Sequence, residues 1–258
     1  MTDVFTVVNA QGIAHRFKTY MSCLSECDKV NTQVFADSYL FPSIEYDENP
    51  TNTICGWRLK VLPEEENYIE KYKTIDLLYN DTPQYFIEKY LNSLDKIKIN
   101  SEILEYANSF LEDWNDVIGV HIRSWWHAAP PRFYWHDNQL FENEIDKFDS
   151  SKRIFLCSDN NDVIDHFKQK YGERIITHDQ MMHQTKCDVF GFHHDQIQLV
   201  TDGFIDCLLL SKCETIIGTW ASTFSEVAWW LGRCKSTVII PKPKTVTSQD
   251  ENDFFTLK

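Results

Sequence analysis

From about residue 115 onward the chain repeats one alternation, and that alternation restricts the fold more than any other feature. Short runs rich in Val and Ile ("DVIGVHI", "RIFLCSD", "RIITH", "ETIIGT", "STVII") are separated by longer segments of helical periodicity ("DNQLFENEIDKF", "NDVIDHFKQKYG", "QLVTDGFIDCLLLSKC", "STFSEVAWWLG"). Strands joined through helices run parallel, because a parallel neighbour needs a crossover, and such sheets are covered on both faces. Gly172 closes the second of these helices. Residues 113–258 are therefore expected to form a Rossmann-like α/β unit.

Residues 1–112 read as a smaller α/β unit. "VFTVVNA" predicts a strand, "QGIAHR" a loop, "FKTYMSCLSECDKV" a helix and "TQVFADS" a second strand, which together make a βαβ opening. Residues 41–63 are rich in turn formers, and two helices are expected in "PEEENYIEKYKTI" and "DTPQYFIEKYLNSLDKI", the latter begun by Asp81 or Thr82 with Pro83 in its first turn. "SEILEYANSFLEDW" is amphipathic, with Ile103, Leu104, Ala107, Phe110 and Leu111 on one side.

Composition narrows the class. At 258 residues and 43% hydrophobic content the chain is long and apolar enough to bury a sizeable core throughout. No apolar run reaches the ~18 residues of a membrane span, and the start lacks the basic region and cleavage site of a secretory signal, so a cytoplasmic protein is expected. The eight cysteines are scattered without a CxxC pair and are expected as free thiols, with the sequon at Asn80 unmodified. A net charge of −14 argues against nucleic acid and anionic membrane surfaces as partners, which need a basic face. It does not exclude a small anion, which needs only one or two arginines and some backbone amides.

Four segments fall at the carboxyl ends of expected strands or at helix starts: 12–16, 121–132, 158–161 and 218–225. In an open parallel sheet such ends face one crevice, where ligands bind. Thr219, Ser222, Thr223 and Ser225 surround the start of a helix whose free N–H groups favour an anion, although Ser222 or Thr223 is also a preferred N-cap. Arg123 leaves a buried strand and can grip two phosphate oxygens with its planar fork; an ion pair with Asp159 or Asp202 is the alternative. Asp206 lies in an apolar helix, where a carboxylate needs donors or must face solvent. Guanine offers two adjacent donors, N1–H and the N2 amino group, which adenine and uracil do not.

"GVHIR", "FLCSDN", "DGFIDCLLLSKCETIIG" and "STFS" resemble the donor-binding half of the GDP-fucose-dependent fucosyltransferases (the nodulation and core α1,6, protein O-fucosyltransferase and α1,2 types), and "QGIAHRF" resembles their first glycine-containing loop. The resemblance implies a GT-B glycosyltransferase: two Rossmann-like domains facing a central cleft, residues 1–112 on the acceptor side and 113–258 binding the nucleotide sugar. It implies metal-independent, inverting transfer of L-fucose or a related deoxysugar to a glycan acceptor, with no cofactor beyond the GDP-sugar. By the same resemblance Arg123 holds the β-phosphate, His121 and Asp206 the guanine, and Ser222, Thr223 and Phe224 the diphosphate. Gly12, His15, Arg16, Asp159, Thr219 and Ser225 complete the expected donor site, and His127 is favoured over Asp137 and Glu142 as the base that deprotonates the acceptor. The family often continues HxR with a second arginine or an aspartate, where this chain has Ser124, Trp125 and Trp126. The aromatic loop "SWWHAAPPRFYW" suits sugar faces or an interdomain core. Two rival readings stand beside this one: a glycan- or nucleotide-binding relative without turnover, and a metal hydrolase using His178, Asp179, His183, His193, His194 and Asp195, for which no HExxH is present.

Overall fold

A computed structural model describes residues 4–7, 12–51, 53–54, 82, 84–124, 137–179, 197–220 and 222–243. Its strands form two parallel sheets. The first joins β1 (Phe5–Val7), β2 (Val30–Thr32), β3 (Glu45–Tyr46) and β4 (Thr53–Ile54) in the order β3-β2-β1-β4. The second joins β5 (Val117–Ile122), β6 (Arg153–Ser158), β7 (Ile175–Ile176), β8 (Thr215–Ile217) and β9 (Thr237–Ile239) in the order β7-β6-β5-β8-β9. In both, the first strand in sequence lies inside and strand order reverses beside it. That reversal opens a crevice at the carboxyl ends, next to β1 in one sheet and between β5 and β8 in the other.

Eight α-helices and a 3-10 turn (Gly172–Arg174) complete the described elements: α1 (Ile13–Leu24), α2 (Phe35–Leu40), α3 (Gln84–Lys96), α4 (Ser101–Ser109), α5 (Asn138–Ile145), α6 (Asn161–Tyr171), α7 (Ile197–Leu210) and α8 (Thr223–Leu231). Every residue of β5 is buried, as a central parallel strand requires. Alternation along it sorts two cores. Ile118, Val120 and Ile122 pack with Ile154, Leu156 and Ile217 against Phe141, Ile145, Val163, Ile164 and Phe167 of α5 and α6. Val117, Phe155, Cys157 and Ile216 line the other face, in a core shared with α7, α8 and the first unit. Phe204 of α7 meets Phe41 at 4.9 Å and Phe17 of α1 at 5.5 Å between ring centroids, so one apolar layer runs through both sheets. Helices that precede residue 113 take part: α3 packs on α8, and α4 on α7. Gly119 lets α7 approach, because a Cβ there would lie 2.6 Å from Leu210 Cδ1.

Two sequence expectations are corrected. The loop expected at "QGIAHR" is helical from Ile13, with Gly12 as N-cap, since Ile13, Phe17, Met21 and Leu24 supply a buried stripe at helical spacing. "VFADS", expected as strand, lies in α2; its Asp37 turns inward to a partner on α1, and that tertiary contact overrides the β-propensity of the run. The helix expected at 63–75 lies outside the described residues. Gly172 closes α6 as expected, at φ 58°, a left-handed conformation natural to glycine. The six described cysteines are free, and burial pushes their thiols up, Cys23 and Cys234 to about 12. Among the described residues no helix is long and apolar enough to cross a membrane.

Candidate functional site

The site is built where β5 and β8 part. Their ladder ends at Val120 and Ile217, and the Thr219 hydroxyl extends it: it accepts the Arg123 N–H at 2.7 Å and donates to the His121 carbonyl at 2.8 Å. One residue further, the Ser124 N–H donates to Asp159 Oδ1 at 2.7 Å, while Asp159 Oδ2 holds the Arg123 guanidinium at 2.9 Å. A single carboxylate at the end of β6 thus fixes both the backbone and the side chain that leave β5. The Arg123 side chain stays 24% exposed.

The start of α8 forms the opposite wall. Ser222 is its N-cap, yet makes no side-chain capping bond, so its hydroxyl is not spent on the helix. Ser225, wholly buried, meets His121 Nδ1 at 2.8 Å, and Phe224 stacks on the same imidazole at 4.5 Å. This close seating depends on Gly218, where a Cβ would lie 2.7 Å from the Ser225 hydroxyl. Burial pushes His121 down to about 3; Asp159 opposes that shift and Arg123 adds to it. At 4% exposure, His121 is the neutral floor of the site, pinning the helix tip to the strand.

A second helix tip arrives from the first unit. α1 begins at Gly12, again without a side-chain cap, and a Cβ at Gly12 would meet open space. Its His15 Nε2 lies 3.1 Å from the hydroxyl of Thr223, the first residue of α8, and Lys18 pairs with Glu226 at 2.6 Å one turn along both helices. Burial pushes His15 down to about 4, helped by Lys18, Arg123 and Arg16. The N-terminal ends of α1 and α8 therefore converge beside Arg123, adding two positive dipole ends to one cation.

The remaining expected residues divide. Arg16 leaves the set: its guanidinium is 0% exposed and clasps Asp37 with two bonds of 2.6 Å, which Tyr20 reinforces. The pair ties α1 to α2. Asp206 is buried rather than solvent-facing, and its Oδ1 bonds His178 Nδ1 at 3.1 Å. Burial raises Asp206 to about 6 against the pull of His178. His178 sits between the Tyr106 and Phe110 rings and is a partner that its sequence context, a histidine-rich loop, gave no sign of. Glu142 is occupied by His166 and Lys170 at 2.6 and 2.7 Å, between α5 and α6, and Asp137 caps α5. His127 and most of the histidine-rich loop lie outside the described residues; among those described, no group of three or more His, Cys, Asp or Glu is placed to hold a metal.

Solved structures share this arrangement of elements. The NodZ α1,6-fucosyltransferase co-crystallised with GDP superposes with a TM-score of 0.54 at 16% identity, over 88% of this chain and 92% of that one. Its crystal soaked with GDP-fucose gives 0.53 at 17%, over 89% and 93%. Selenomethionine NodZ from Bradyrhizobium gives 0.54 at 17%, over 88% and 92%. The chain has the fold of these fucosyltransferases. No family model matches the sequence, and no curated protein matches it.

Proposed function

We propose that this protein is a glycosyltransferase that moves L-fucose, or a related deoxysugar, from a GDP-linked donor to a glycan, with inversion and without a metal. One observation carries the reading: two helix N-termini meet through His15 and Thr223 beside Arg123, in the crevice where β5 and β8 separate. Such a corner suits a diphosphate, and the NodZ structures of the same fold were obtained with GDP and GDP-fucose.

In this reading the difficult event is departure of GDP. Arg123, held in place by Asp159, and the amides at the start of α8 stabilise the charge that grows on the β-phosphate, a preorganised electrostatic contribution in place of a metal ion. His121, Thr219, Ser222, Thr223, Phe224 and Ser225 shape that pocket, and Gly12 leaves room for the donor at the tip of α1. Asp206 accepts the two donors of guanine. Residues 113–258 bind the donor and 1–112 face the acceptor, with His127 as the base that takes the acceptor proton.

A thermal-shift screen of GDP, UDP, ADP and dTDP sugars tests this, since a ligand bound only by the native state raises its melting temperature. GDP-fucose is expected to give the largest shift, Arg123→Ala to abolish it, and donor turnover to survive EDTA. Stabilisation by a uridine or adenosine nucleotide alone, or strict dependence on Mn²⁺, overturns the assignment.

A further inference from the structure

Among the described residues, the three cations nearest the helix tips are each matched by a carboxylate. Arg123 pairs with Asp159 at 2.9 Å, Lys18 with Glu226 at 2.6 Å and Arg16 with Asp37 at 2.6 Å. Formal charge among these groups sums to zero. Two helix N-termini add about half a positive charge each, less than a nucleoside diphosphate carries in negative charge. A site that is to hold such an anion tightly needs one more cation, and a permanent one would repel Arg123 and Lys18 while the site stands empty.

His15 is the group placed to supply it. It is half-buried at the tip of α1, with Nε2 3.1 Å from the Thr223 hydroxyl on the tip of α8. Among the described residues, the charged groups around it are Lys18 and Arg16 on its own helix, Arg123 leaving β5 and, through the pairs above, Asp159, Glu226 and Asp37. His121, the other described imidazole at this corner, is sealed beneath Phe224 and bonded to Ser225, and lacks this access. Resting on the nucleotide-binding reading above, we infer that His15 is a conditional cation: it takes a proton from solvent when the diphosphate binds, donates Nε2–H to the Thr223 hydroxyl, and thereby turns that hydroxyl's proton onto a phosphate oxygen. The proton returns to solvent when GDP leaves, so no covalent bond is made or broken at His15.

The physical basis is a reversal of sign. In the empty site, burial and the three nearby cations hold the imidazole neutral at neutral pH, with its pKa pushed down to about 4. A bound diphosphate puts negative charge among the same cations and cancels their effect, which raises the affinity of His15 for a proton. By linkage, GDP binding then strengthens as pH falls, up to about tenfold per pH unit for one proton taken up.

Calorimetric titration of GDP into the full chain, between about pH 5.5 and 7.5 and in paired buffers of different ionisation enthalpy, counts the protons exchanged. Wild type is expected to take up more protons per GDP than His15→Gln, and the ratio of their affinities is expected to grow as the solution is acidified. Ionisation of GDP itself and of Asp206 is common to both proteins and cancels in the difference. His15→Asn serves in place of the glutamine variant if that one fails to fold, and imidazole NMR of wild type alone, with and without GDP, follows the same event without any variant. Equal proton counts in wild type and variant, or a His15 titration unmoved by GDP, overturn the inference while nucleotide binding stands. Absence of GDP binding to wild type at every pH overturns the nucleotide reading and this inference with it.

Discussion

The hydroxyl of Thr219 joins β8 to β5 beyond the last ladder bond, accepting from the Arg123 N–H at 2.7 Å and donating to the His121 carbonyl at 2.8 Å. It thereby carries the strand pairing up to the residues of the site itself. Thr219→Val keeps the shape and strands both backbone groups, each at a cost of about 1–3 kcal/mol when buried. Urea unfolding should show Thr219→Val destabilised by about 2 kcal/mol or more, with Thr219→Ser close to wild type. A neutral Thr219→Val would mean that water replaces the hydroxyl.

Arg123 holds Asp159 through Nη1, and its side chain stays 24% exposed. A bidentate fork can serve carboxylate and phosphate together, whereas an ammonium is a point charge. Arg123→Lys should weaken GDP binding by roughly ten- to hundredfold, the equivalent of about 1.5–3 kcal/mol for one lost charge-assisted bond. Asp159→Asn should act in the same direction through loss of aim. Calorimetry on both variants decides.

Asp206 offers guanine an acceptor pair only while it is ionised. Asp206→Asn should therefore weaken GDP binding and, more tellingly, narrow the preference for GDP over inosine diphosphate, which lacks the N2 amino group. Competition binding measures the ratio, and an unchanged preference removes Asp206 from the base site.

Acid should destabilise the fold. Burial holds His121 near 3 and His15 near 4, while in the unfolded chain both titrate at about 6.5. Between about pH 6.5 and 4 the unfolded state binds more protons at these positions, so stability falls as pH drops through that window. Asp206 opposes this, because burial raises it to about 6 and the native state takes its proton first. Burial pulls His178 down, but its hydrogen bond to Asp206 together with the charges of Asp206, Asp202 and Asp179 more than reverses the shift, so it acts above about pH 6.5, outside the window. Two groups outweigh one. The urea midpoint is expected to fall from pH 7 to about 4.5, and more steeply in Asp206→Asn.

The Arg16–Asp37 pair should behave as a buried structural bridge. Asp37→Asn or Arg16→Met leaves a buried charge without its partner, at about 3–5 kcal/mol, whereas Arg16→Met combined with Asp37→Leu should recover much of the loss. Chemical denaturation of the single and double variants reads both outcomes.

Local pattern carried the second sheet. The five runs from "DVIGVHI" to "STVII" each contain a strand of β5 to β9, and the signal is clearest in β5 and β6, whose near-complete burial demands a continuous apolar run. Pattern failed where a residue's partner is distant. Asp37 looks like a polar break in a strand until Arg16 is placed beside it, and His178 looks like loop surface until α7 brings Asp206 to it.

By itself the sequence determined the parallel α/β class, the carboxyl-end crevice and the arginine and hydroxyl residues gathered there, because periodicity and helix-start chemistry are local. Only the tertiary structure decided how these groups are partnered: Arg16 closed on Asp37, Arg123 shared with Asp159, and His15 facing Thr223 across the meeting of two helices. The free energy of a charge depends on its neighbours within a few ångströms, and those neighbours are set by packing between segments far apart in the chain.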